Sequence, residues 1–133
     1  MKMKKFLLFF TMLKKLKYIT GLLLVFISVS AFSQNTYYID PGATSNGDGT
    51  MVSPYDGWDK VFPMETGAIY LQKTGTTWND SLAIEAEGVT IGSYGTAGDN
   101  AKIIATGKDG ISNIADTAKN VTIKDLWITT EGS

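Results

Sequence analysis

At 133 residues and 14.4 kDa the chain has room for one small domain. It holds no histidine, no cysteine and, since all twelve basic residues are lysine, no arginine; this excludes Ser-His-Asp and Cys-His triads, imidazole or thiolate zinc sites, disulfide frameworks and guanidinium clamps on phosphate or carboxylate. The formal charge of −1 averages two unlike segments: residues 1–33 carry six lysines and no acid, whereas residues 34–133 carry six lysines against thirteen acids, a net −7 that repels nucleic acid.

Taken in chain order, Lys2, Lys4, Lys5, Lys14, Lys15 and Lys17 precede an uncharged stretch from Tyr18 to Phe32 with the apolar centre Leu22-Leu23-Leu24-Val25-Phe26-Ile27. A positive start, an apolar middle of about 10 residues and the small-x-small exit Ala31-Phe32-Ser33 predict a secretory signal peptide over residues 1–33, cleaved after Ser33. A membrane anchor needs about 20 apolar residues, and the sequence turns polar at Ser33-Gln34-Asn35-Thr36. No cysteine follows the apolar run, so lipoprotein attachment is excluded. The expected location is secreted, periplasmic or cell-surface, free of the membrane after cleavage, with packing or neighbours supplying the stability that disulfides give other small exported domains.

From Asn35 onward no apolar spacing of three and four persists long enough for a helix, and short apolar runs between glycines predict an all-β chain. Strands are expected over Thr36 to Asp40, Ala68 to Lys73, Leu82 to Ala86, Val89 to Tyr94, Lys102 to Ala105, Ile111 to Ala115 and Val121 to Thr129. Between the first two, Trp58, Val61 and Phe62 share one face of a single helical turn that Pro63 stops. Leu71, Ile91 and Ile111 recur at 20 residues, as do Ile84 with Ile104 and Ile103 with Ile123. That period suits a solenoid whose inward aliphatics stack from coil to coil.

Several motifs then resemble the opening of secreted right-handed parallel β-helix proteins of the pectate-lyase-like superfamily. They are Tyr37-Tyr38-Ile39-Asp40-Pro41-Gly42, Asn46-Gly47-Asp48-Gly49-Thr50 and Ser53-Pro54-Tyr55 with Trp58, followed by Gly67-Ala68-Ile69-Tyr70-Leu71, where alanine replaces the family's usual aspartate. Gly75-Thr76-Thr77-Trp78 is similar to the family's glycine-threonine turn, Gly88-Val89-Thr90-Ile91-Gly92-Ser93-Tyr94-Gly95 to its passage from first coil to second, and Asn120 to Ile128 to an ordinary coil strand. The resemblance covers Tyr37 to Thr130 and implies an all-β solenoid: signal peptide at 1–33, N-terminal strand and cap at 34–66, first coils at 67–133. Asn120, ahead of a strand, matches the corner asparagines that stack in this family. With no C-terminal cap in view, further coils of the same protein are expected beyond Ser133.

The resemblance implies a protein that binds or cleaves polysaccharide, as a polysaccharide lyase or glycoside hydrolase in its full-length form, with this stretch inactive alone. It implies no cofactor within the chain, although Ca²⁺ is compatible with the complete protein. The alternative is a non-catalytic surface or adhesive β-helix that binds glycan or protein. A lectin-like β-sandwich of antiparallel strands is a third possibility, disfavoured by Pro54 after Met51-Val52-Ser53.

No catalytic residue can be assigned from the residues alone. Lys119 and Lys124 with Asp116 and Asp125 are the nearest approach to a lyase cluster, although Lys124, alternating with Ile123, should face solvent. Glu85 and Glu87 would share one face of a strand about 7 Å apart, which does not flank a sugar. Asp40, Asn46, Asp48 and Asp56 crowd one loop region and offer oxygens to Ca²⁺. For stacking on sugar C–H faces, the expected contacts are Trp78, Tyr94 and Trp127, Trp127 being outward between Leu126 and Ile128; Trp58 reads as cap filling.

Overall fold

A computed structural model of the chain describes residues 33–96, 98–113 and 118–132. The expected leader lies outside the described residues except for Ser33, as do Asp116 and the end of the strand expected over Ile111 to Ala115. The described residues are all-β: β1 (Thr36–Ile39), β2 (Ile69–Lys73), β3 (Thr77–Trp78), β4 (Leu82–Ile84), β5 (Thr90–Tyr94), β6 (Ala101–Thr106), β7 (Ile111–Asn113), β8 (Thr122–Ile123) and β9 (Leu126–Glu131). A single 3-10 turn at Trp58–Lys60 falls where the Trp58/Val61/Phe62 face predicted one. Among the described residues, no helix is long and apolar enough to cross a membrane.

Every described strand pairing is parallel, which counts against the antiparallel sandwich. The strands form three sheets, ordered β1-β2-β5-β8, β3-β6-β9 and β4-β7, so from β2 onward each strand meets the one three further along the chain. Parallel neighbours require crossover connections, and here the intervening strands of the other two sheets form the crossover. Inward residues stack in register across each sheet: Tyr37, Tyr70, Ile91 and Ile123 in the first, Trp78, Ile103 and Ile128 in the second, Leu82 and Ile111 in the third. Apart from Ile123, which is 42% exposed, these rows share one buried cluster with Trp58, Val61 and Met64 from the segment between β1 and β2.

The 20-residue period is corrected by this register. Ile69 meets Thr90, 21 residues on, whereas Thr77 meets Lys102 at 25, Leu82 meets Ile111 at 29 and Thr90 meets Thr122 at 32. Leu71 therefore lies beside Gly92, on the opposite face from Ile91, and Ile111 belongs to another sheet. Register is fixed by pairing inward side chains, while the corners absorb unequal lengths of chain.

One corner does repeat. Gly67, Gly88 and Asn120 each stand two residues before a strand of the first sheet, with φ of 74°, 70° and 55°. The Gly67 N–H donates to the Glu87 carbonyl at 2.9 Å and the Gly88 N–H to the Lys119 carbonyl at 2.8 Å. Glycine takes this left-handed conformation without a Cβ penalty and asparagine is the next most tolerant residue. Asn120 thus occupies the corner position its place before a strand suggested, and its Nδ2 donates to Glu87 Oε1 at 3.1 Å.

The segment between β1 and β2 closes the outer edge of β1. The Tyr38 N–H donates to the Gly49 carbonyl at 2.8 Å, while the Tyr55 N–H donates to the Tyr38 carbonyl at 2.9 Å. Below it Gln72, with no exposed surface, joins the Trp58 turn to β2 and β6. Its Oε1 accepts from Trp58 Nε1 at 2.7 Å, and its Nε2 donates to the carbonyls of Thr76 and Lys102 at 3.1 and 3.0 Å. A buried amide is tolerated when both its ends are partnered in this way.

Candidate functional site

The outer face of β3, β6 and β9 is set by strand alternation: with Trp78, Ile103 and Ile128 inward, Thr77, Lys102 and Trp127 form an in-register outward row. Trp127 is 60% exposed, and Lys102 Nζ lies 5.6 Å from the centroid of its ring. The ammonium thus sits within the range over which the indole quadrupole attracts a cation. Two further outward rows follow, Ile104 with Thr129 and Thr106 with Glu131. The face therefore presents one open aromatic surface, one cation beside it, hydroxyls along the same strands and the Glu131 carboxylate at the end of β9.

The three aromatic residues expected at sugar do not converge. Trp78 points inward on β3 and packs against the core; its Nε1 is buried without a hydrogen-bond partner, and a Cβ at Gly57 would lie 2.7 Å from its Cζ3. Tyr94 is half-buried on β5, in another sheet, edge-on to Tyr38 with centroids 5.0 Å apart. Burial, followed by the nearby Asp40 charge, pushes the Tyr94 phenol up from its ordinary value. Trp58, in the segment between β1 and β2, is buried with its Nε1 on Gln72.

The carboxylates of the segment between β1 and β2 are engaged separately. Asp40 Oδ1 accepts from the Gly42 N–H at 3.0 Å and Oδ2 from Lys73 Nζ at 2.7 Å, and this hydrogen bond raises the Lys73 pKa. Asp48 accepts from the Thr50 hydroxyl and N–H at 2.7 and 3.0 Å, and Asn46 Oδ1 from the Asp56 N–H at 3.3 Å. Among the described residues, no group of three or more metal-ligating side chains converges. Glu85 and Glu87 fall beyond β4, which ends at Ile84, so they do not form the same-strand pair expected. Lys124 is exposed, as its alternation with Ile123 predicted, and its Cγ lies 3.4 Å from where a Cβ at Gly92 would stand.

A polar cluster that the sequence did not single out lies at the β1 end. The Tyr37 hydroxyl donates to Glu65 Oε1 at 2.6 Å, Asn35 Nδ2 donates to Glu65 Oε2 at 2.8 Å, and the Glu65 N–H donates to the Tyr70 hydroxyl at 2.7 Å. The hydrogen bond to Glu65, with burial behind it, pushes the Tyr37 phenol up to about 12. The donors Asn35 and Tyr37 in turn hold the Glu65 carboxyl below its usual value. Asn35 and Tyr37 stand 30 and 28 residues before Glu65, and the pairing of β1 with β2, which sets Tyr37 beside Tyr70, brings them together.

Comparison of the chain with protein-family models, with curated proteins and with solved structures finds no match.

Proposed function

We propose that residues 34–133 are part of a right-handed parallel β-helix of the pectate-lyase-like kind, exported behind a leader cleaved after Ser33, that binds polysaccharide on the outer face of β3, β6 and β9. The observation that carries the binding reading is the open Trp127 ring with the Lys102 ammonium 5.6 Å from its centroid. An exposed indole offers a flat apolar surface to the C–H face of a sugar ring, and an adjacent ammonium donates to ring hydroxyls or to a uronic carboxylate. The β-helix reading is supported by the three-strand repeat of parallel pairings and by the near-universal right-handedness of parallel crossovers. It also places a further layer of strands against β7, β8 and β9, because Ile123, in register with fully buried Ile91, is 42% exposed. Elimination chemistry would need a base as well as a cation at the sugar, and the Thr77-Lys102-Trp127 row offers one lysine for both tasks.

Affinity electrophoresis of the secreted protein against neutral and uronic-acid polysaccharides tests this reading. Trp127→Ala should weaken retention about tenfold, equivalent to about 1.4 kcal/mol, and Lys102→Ala should weaken it chiefly on uronic-acid chains. Retention by no polysaccharide, or undiminished retention in Trp127→Ala, overturns the proposal. Appearance of an unsaturated, ultraviolet-absorbing product would turn the binder into a lyase.

A further inference from the structure

The β1 end carries a cavity of about 110 Å³ whose lining includes Tyr37, Tyr55, Lys60, Phe62, Glu65 and Tyr70. That volume holds several waters and falls well short of the roughly 300–1,000 Å³ of a drug-sized cleft, so the part of an occupant that it surrounds is about one small ring. Its polar groups are of two kinds. Each Glu65 oxygen takes one neutral donor, Tyr37 or Asn35, and keeps a further lone pair. Tyr70, 1% exposed, accepts the Glu65 N–H, and its own hydroxyl proton has no acceptor among the described residues. A ligand must therefore both donate and accept within a few ångströms.

Charge and ring geometry narrow the class. The Glu65 carboxylate opposes an anionic ligand, and Lys60, which also lines the cavity, is already paired with Asp59. A quaternary ammonium can neither donate to the Glu65 lone pairs nor accept the Tyr70 proton, and it would need an enclosing set of open aromatic faces. Tyr37 has none to offer, since it is stacked between Tyr55 and Tyr70 with centroids 6.3 and 5.3 Å away and planes within 24° and 19°. What remains is a small uncharged ring bearing hydroxyls, with C–H edges to lie against Phe62 and Tyr55.

We propose that this cavity binds a single neutral sugar ring, two of whose hydroxyls donate to Glu65 while a third oxygen accepts from Tyr70. The site is separate from the Trp127 face and does not depend on it.

The test titrates methyl glucoside and methyl galactoside, with galacturonate and tetramethylammonium as competing chemistries, into the secreted protein carrying Trp127→Ala, which removes the outer face from the readout. At least one neutral glycoside should saturate the cavity and shift the tyrosine ring signals in the NMR spectrum. Adding Glu65→Gln should weaken that binding at least about tenfold, the scale of one charge-assisted hydrogen bond. Phe62 is 38% exposed, so Phe62→Ala should weaken binding while leaving the circular dichroism of the fold unchanged. The proposal is overturned if neither neutral glycoside saturates, if both Glu65→Gln and Phe62→Ala bind undiminished, or if galacturonate or tetramethylammonium binds more tightly than the glycosides.

Discussion

The two ends of the first sheet make a natural experiment. At one end β1 is an edge strand whose backbone groups are taken up by Gly49 and Tyr55, and its inward Tyr37 stacks on buried Tyr70. At the other, β8 follows β5 in the same register, yet Ile123 is 42% exposed where Ile91 beside it is 0%. Both positions are inward and apolar; what differs is a layer on the far side. Burial in this architecture is conferred by neighbours on both sides of a strand, and hydrophobicity alone does not secure it. An uncovered strand edge is also a template for further pairing, which is why a stacked layer over β7, β8 and β9 belongs to the proposed reading.

The largest effect that would sharpen this contrast concerns the two tryptophans. Trp58 is 1% exposed, and its Nε1 donates to buried Gln72. Trp58→Ala leaves both a cavity and an unpartnered amide, and should cost about 3–5 kcal/mol in chemical unfolding. Trp127→Ala removes a ring that lies mostly in water and should stay within about 0.5 kcal/mol. Equal losses would mean that Trp127 is covered in solution and would break the comparison.

The isoleucine pair comes next in size. In the 133-residue chain by itself Ile91→Ala should lose about 3 kcal/mol, typical of a fully buried aliphatic, whereas Ile123→Ala should lose under about 1 kcal/mol. The gap between them, measured as unfolding free energies, reads how well the β8 end is covered. If it closes with Ile123→Ala rising to match, another layer already sits on β8 in solution.

Much of this architecture was legible in the sequence, because alternation and glycine punctuation are local. The strands around Thr36, Ile69, Leu82, Thr90 and Ala101 begin within a residue of where alternation puts them. The single turn at Trp58 is there as well. Two features escaped. β3, Thr77–Trp78, is too short to show a phase, so Gly75-Thr76-Thr77-Trp78 reads as a turn and the inward direction of Trp78 is invisible. Val121 to Thr129 reads as one strand, but Asp125, with φ of 56°, breaks it into β8 and β9. A signal for that corner was present: the apolar residues step from Val121 and Ile123 to Leu126 and Ile128, a change of parity no single strand can carry. Trp127 was correctly read as outward because Leu126 and Ile128 flank it, whereas the Tyr37-Glu65-Tyr70 cluster depends on register across β1 and β2 and leaves no local trace.

The smallest expected effect separates the β1 end from the last strands by pH. Tyr37 is pushed up to about 12 by its hydrogen bond to Glu65, so the folded chain holds a proton that the unfolded chain releases near the ordinary phenol value of about 10. Stability from this contact is therefore complete below about 10 and is lost as pH rises toward about 12. Glu65 behaves oppositely: its carboxyl is held below the usual value by Asn35 and Tyr37, so its contribution is present above that usual value and lost as pH falls below it. Unfolding curves collected across the alkaline range should show a decline in the parent chain that Tyr37→Phe reduces. A residual slope should persist, because burial also raises Tyr70 and Tyr94. Phenolate absorbance offers the direct check, since Glu65→Gln removes the carboxylate charge and should bring the last tyrosine to ionise at a lower pH. If Tyr37→Phe and the parent lose stability identically through that range, the Tyr37-Glu65 contact is not formed in solution, and this contact does not set the β1 end apart from β8 and β9.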